Sequence, residues 1–133
     1  GLKEKMKIES VHHVAIICSD YEKSKDFYSR ILGFEIIKET YRENRKSYKL
    51  DLKVGSHCQL ELFSFPDSPP RPSYPEATGL RHLAFAVADI QLTVTELNAK
   101  GIKTEPIRID EGTFKKFTFF SDPDGLPLEV YEI

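Results

Sequence analysis

Apolar positions along this chain recur at two spacings, and the order in which those spacings occur is itself repeated. Residues 10–18 form a short apolar run rich in β-branched side chains, which predicts a buried strand. From Ser19 or Asp20, either of which suits a helix cap, the spacing lengthens to three and four through Phe27 and Ile31. The helix is predicted to run to about Leu32, with Gly33 as its stop signal. Strand-like runs follow at about 34–42, 47–54 and 57–65, separated by turns at Glu43-Asn44 and Gly55-Ser56. The same plan then restarts: a strand at 82–88, a helix opened by Asp89 and ended by Gly101, and strands near 102–108, 114–121 and 127–132. Asp122-Pro123-Asp124-Gly125 marks the last turn, since proline presets φ and glycine tolerates φ > 0.

The two halves share landmarks. His13 is answered by His82, Gly33 by Gly101 and Glu61 by Glu129, at a period of 68 or 69 residues. The chain is therefore expected to be one α+β domain over 1–133, built from two βαβββ modules. Module 1 spans about 10–65 and module 2 about 79–133. Between them lies a proline-rich connector, 66–78, whose prolines exclude a central strand or helix. It reads either as a plain linker or as a stiff loop that brings Arg71 or Tyr74 to a ligand. Residues 1–9 read as a charged, irregular lead-in.

Composition narrows the function classes. A net charge of −2 over 133 residues provides no electrostatic footprint for nucleic acid, and every apolar run is too short to span a bilayer. No nucleic-acid or membrane partner is expected. Two cysteines cannot make a disulfide framework, and no secretory apolar segment follows the charged start, so a cytoplasmic location is expected.

Alternation along the strands indicates where chemistry sits. His13 shares a face with Ala15 and Ile17, and His82 with Ala84 and Ala86, small neighbours that leave room for a cavity. Glu61 and Glu129 lie mid-strand between apolar neighbours, where a covered carboxylate is costly unless paired or metal-bound. If the two sheets curve together, His13, Glu61, His82 and Glu129 meet at one centre. Two imidazoles and two carboxylates suit one divalent ion such as Ni, Zn, Co, Mn or Fe, with positions left for water and substrate. The four ligands come from one chain or from two copies exchanging halves; the sequence leaves both open. His12 points to the helix side by alternation and is left out of the metal shell.

These features resemble the vicinal oxygen chelate superfamily, and within it the glyoxalase I-like (lactoylglutathione lyase-like) branch. The resemblance rests on the His13 strand, Asp26-Phe27-Tyr28, Leu32-Gly33-Phe34, Glu61 in Leu-Glu-Leu, His82 in His-Leu-Ala-Phe, and Asp-Pro-Asp-Gly before Glu129. It covers 11–133. It implies paired βαβββ modules forming a curved sheet around a metal cavity, commonly in a homodimer. It also implies an octahedral ion held by His13, Glu61, His82 and Glu129, with Ni or Zn first in line. Two departures separate the chain from glyoxalase I itself. The arginine that family places four residues after the first histidine is Ile17 here, and an asparagine four after the first glutamate is Phe65. Glutathione hemithioacetal is therefore not the expected substrate.

The expected activity is that of a metal-dependent lyase or isomerase. The metal polarises adjacent oxygens of a small-molecule substrate, a carboxylate takes the proton next to a carbonyl, and a metal-bound enediolate follows. Glu129 is the expected base, with Glu61 as partner. Arg42, Arg45, Lys49, Arg71 and Lys115 are the cations available for an anionic group. The alternatives are an Fe(II) extradiol-type dioxygenase using His13, His82 and Glu129, or a non-catalytic small-molecule binding or resistance protein of the same fold.

Overall fold

The first strand, β1 (His13–Cys18), is buried on one face only: Ile16 and Cys18 are in the core, whereas His13, Ala15 and Ile17 are exposed. This is the alternation expected of a half-covered sheet. The computed structural model describes residues 6–133, so the first five residues of the expected lead-in lie outside the described residues. After β1 the backbone enters α1 (Tyr21–Asp26). The Asp20 side chain caps this helix by accepting from the Lys23 N–H at 3.2 Å. The helix then widens over Phe27–Ile31, where the Leu32 N–H reaches back five residues to the Phe27 carbonyl. Strands β2 (Glu35–Arg42), β3 (Ser47–Val54) and β4 (Cys58–Ser64) complete the module. Leu50, Leu52, Leu60 and Leu62 face the helix and are almost wholly covered.

The second module runs β5 (Leu83–Val87), α2 (Ile90–Ala99), β6 (Arg108–Ile109), β7 (Lys116–Ser121) and β8 (Pro127–Glu132). Asp89 caps α2 through the Leu92 N–H at 3.1 Å. One expected strand is much shorter than the pattern predicts: of 102–108, only the end joins β6. Pro106 has no N–H to give to a ladder, and the Thr118 hydroxyl donates to the Glu105 carbonyl at 2.7 Å. The segment before β6 is therefore tied to β7 by side-chain and single backbone bonds rather than by a strand.

Both sheets have the same topology, β1-β4-β3-β2 and β5-β8-β7-β6, with a parallel first pair and antiparallel pairs thereafter. The paired-module fold is thus as the pattern predicts. Within one chain the two sheets do not join into one curved surface; each keeps four strands, with β1 and β5 at free edges. What joins the modules is their helix side. Fifteen buried apolar residues from both halves form one cluster, and Phe27 meets Phe120 while Phe34 meets Phe85.

Polar groups fasten this junction. The Tyr28 hydroxyl, fully buried, donates to Asp122 Oδ2 at 2.7 Å, and Asp122 Oδ1 accepts from the Asp124 and Leu126 N–H groups. Asp124 in turn takes the Ser19 N–H at 3.0 Å and the Ser19 hydroxyl. Ser19 is thus spent on the opposite module, which leaves Asp20 as the helix cap. Burial, reinforced by the Asp122 charge and hydrogen bond, holds the Tyr28 phenol protonated well above its ordinary range. Burial likewise pushes the Cys18 thiol up to about 11, so it is an inert packing group.

Candidate metal centre

The sheet faces turned away from the helices carry the four residues singled out by the repeat. In module 1 the parallel register sets Ala15 opposite Glu61, and His13 reaches across so that its Nε2 lies 3.5 Å from Glu61 Oε2. In module 2 Ala84 pairs with Glu129, and His82 Nε2 lies 3.2 Å from Glu129 Oε1. The alanines do what small residues permit: the imidazoles lean over them toward the carboxylates. Side-chain exposure is 14% for Glu61 and 12% for Glu129, against 42% for His13 and 31% for His82. Each carboxylate is mostly covered while its imidazole stays open to one side.

Each histidine ring is held in place. His13 Nδ1 lies 2.9 Å from His12 Nδ1, and the two rings meet edge-on. The His82 ring stands edge-on to Phe119 at 5.1 Å. His12, which alternation alone turns away, in fact meets the His13 ring through its own Nδ1. Its partnership with Nδ1 leaves Nε2 of His13 facing Glu61, as a hydrogen bond at the other ring nitrogen does for metal-binding imidazoles.

The sequence expected four residues at one centre. Within one chain the structure brings them together as two pairs, and among the described residues no three His, Cys, Asp or Glu side chains are grouped to hold an ion. Each pair taken alone fits a metal. Two donors bound side by side at about 2.1 Å sit roughly 3 Å apart, close to the 3.2 and 3.5 Å observed.

Of the cations considered from sequence, most are already engaged. The Arg42 guanidinium lies over Phe63 at 5.1 Å, Arg45 over Phe65 at 5.0 Å, and Lys49 faces Asp51 at 3.5 Å. Arg71 donates through Nη2 to the Leu80 and Arg81 carbonyls, at 2.8 and 2.9 Å, and through Nε to Ser73 Oγ. The connector is therefore clamped back on itself. The clamp sets Tyr74 in the wall of a cleft of about 880 Å³ that also holds His82. Arg81, Lys103 and Arg108 line this cleft, and composition alone did not single them out. Arg81 adjoins His82, and the register that pairs Arg108 with Phe117 places it beside the same face. An apolar cleft of about 460 Å³ between the modules is lined by none of the four predicted ligands.

Residues 10–130 match the Glyoxalase/Bleomycin resistance protein/Dioxygenase superfamily. The chain belongs to that superfamily. It is 63% identical over 127 residues to the uncharacterized protein YwkD of Bacillus subtilis, covering 96% of this chain and 99% of that one. The crystal structure of a glyoxalase family protein from Enterococcus faecalis superposes with a TM-score of 0.89 at 54% identity, covering 96% and 100% of the two chains. A probable lactoylglutathione lyase of Vibrio cholerae is 24% identical over 129 residues, covering 96% and 93%. Members of the superfamily typically bind a divalent metal, and its lyases and isomerases share the fold seen here. No helix among the described residues is long and apolar enough to cross a membrane.

Proposed function

We propose that this protein is a metal-dependent lyase or isomerase of glyoxalase type. Its centre is completed by a second copy, His13 and Glu61 coming from one chain and His82 and Glu129 from the other. The observation that carries the reading is the matched pair of half-sites, each a histidine and a covered glutamate on an open sheet face beside a free strand edge. A lone His–Glu ion pair is an ordinary surface feature; two at equivalent places in a repeat, each lacking half a coordination shell, are not. Unpaired edge strands such as β1 and β5 are also natural places for another chain to dock. Ni or Zn suits the donor set best, with Co, Mn and Fe as substitutes.

A divalent ion bound there supplies Lewis-acid polarisation of adjacent substrate oxygens. The chain's own residues do the rest. Glu129 takes the proton next to the carbonyl at a carboxylate oxygen and gives it back to the neighbouring carbon or oxygen of the product, with Glu61 as its partner carboxylate. His12 and Phe119 keep the imidazoles in register. Ile17, 56% exposed on the open face, offers nothing to a glutathione carboxylate, so the substrate is a different small molecule with adjacent oxygens.

Complementation tests the reading. His13→Ala and His82→Ala should each purify without stoichiometric metal. Mixed, unfolded and refolded together, they should regain one ion per mixed dimer, because one of its two sites then has both histidines. No regain on mixing, with each variant folded and dimeric, would sink the shared centre.

A further inference from the structure

We infer that the cleft beside His82 is a recognition site for the oxyanion end, carboxylate or phosphate, of a small substrate. Resting on the metal-centre reading above, this gives that substrate a chemical class. Three cations line the cleft, Arg81, Lys103 and Arg108, against one acid, Glu105, which meets Arg108 at 3.9 Å with both side chains more than half exposed. Arg108 is packed against two rings: its guanidinium lies 5.0 Å from the Phe117 ring centre and 5.8 Å from that of Phe119. A guanidinium fixed against aromatic faces keeps its in-plane N–H groups free for a bidentate oxyanion. Phe119 also stands edge-on to His82, so one ring orients both the predicted ligand and the anion-binding arginine.

Arg81 is placed by a separate device. Its backbone carbonyl is gripped by Arg71, which fixes the chain just before His82, and the residue lines the cleft. The connector thereby contributes Ser73 and Tyr74 to the same cleft that Lys103 and Arg108 line. A surplus of positive charge in a concave site raises the local concentration of anions and orients them. An anion anchored here would share the cleft with His82. The site thus favours acidic molecules over neutral ones of the same shape.

Glycolate and glycerol phosphate, one carrying only a carboxylate and the other only a phosphate, serve as probes, titrated into the isotopically labelled full chain at constant ionic strength. Backbone amide shifts would be followed by NMR, with sodium chloride as the control. Shifts should concentrate at 73–74, 81–82 and 101–108. The probe that binds more tightly identifies the anionic group as carboxylate or phosphate. Arg81→Gln should weaken that binding about tenfold, as expected for one lost charge-assisted bond, and Lys103→Gln should weaken it in the same direction. Both variants should retain wild-type metal content. Unchanged affinity in both, shifts scattered elsewhere, or no saturable binding of either probe would overturn the site. Metal content reports on the His–Glu centre separately, so a chain that binds the probe but no metal would refute the centre and keep the cleft.

Discussion

Replacing Tyr28 by Phe removes one oxygen atom from the seam between the modules. The phenyl ring keeps its packing against Phe27 and Phe34, so the change isolates the bond to Asp122. That bond is 2.7 Å long, its donor is fully buried, and its acceptor is 6% exposed. A hydrogen bond to a charged group is worth about 1.5–3 kcal/mol, and an orphaned buried carboxylate oxygen keeps its full desolvation cost. For a chain of 133 residues, an unfolding entropy of about 2.1 cal/mol/K per residue makes about 2 kcal/mol equal to a fall of roughly 7 °C in Tm. Differential scanning calorimetry at neutral pH measures it directly. The pH dependence gives a second reading. Because the folded phenol titrates above the unfolded one, its stabilisation is complete below about pH 10 and decays as pH rises beyond it. The variant should therefore have a shallower loss of Tm between about pH 9 and 11 than the parent. A Tm within about 1 °C of the parent, with the same alkaline slope, would mean that the seam does not depend on this bond.

Other substitutions probe separate parts of the argument. His12→Ala should weaken metal affinity about 10- to 100-fold, measured by chelator competition, without changing Tm in the metal-free protein; unchanged affinity would remove His12 from the centre. Glu129→Gln should keep the fold and bind the ion more weakly, yet abolish proton exchange on any substrate found; full activity would refute its role as base. Leu62→Ala, at 1% exposure in the shared core, should cost about 2–5 kcal/mol in urea unfolding. Asp89→Ala should cost about 1 kcal/mol by loss of the α2 cap, and a smaller effect would mean the Leu92 N–H is satisfied by water instead.

Much of this architecture was legible in the sequence because it is written in short-range periodicities. The alternation that set Glu61 against Leu60 and Leu62 is a property of any strand, and the bounds of β3 fell at 47–54 as the turn signals required. Asp89 and Gly101 marked the ends of α2 for equally local reasons. What could not be read was anything that depends on packing between the halves. Asp122 looked like a turn residue and is also the buried partner of Tyr28, ninety-four positions away. Ser19 looked like a cap and instead binds Asp124. The pairing of His13 with Glu61 follows from strand register. The separation of that pair from His82 and Glu129 depends on how two sheets sit in space, which no periodicity encodes. Arg81, Lys103 and Arg108 were invisible for the same reason, since charge on a loop acquires meaning only from the cavity it faces.

The Arg71 clamp has a consequence for how such a protein changes over evolutionary time. By tying its guanidinium to the Leu80 and Arg81 carbonyls, Arg71 closes the neck of a loop whose tip, from Tyr74 to Gly79, is exposed throughout. Residues can be added or lost beyond a closed neck without transmitting any displacement to the strand that begins just after His82. The loop tip also borders the cleft. Selection on the ligand therefore has a place to work that is mechanically insulated from the fold, and descendants with different tips can explore new substrates while keeping the same histidines in the same positions.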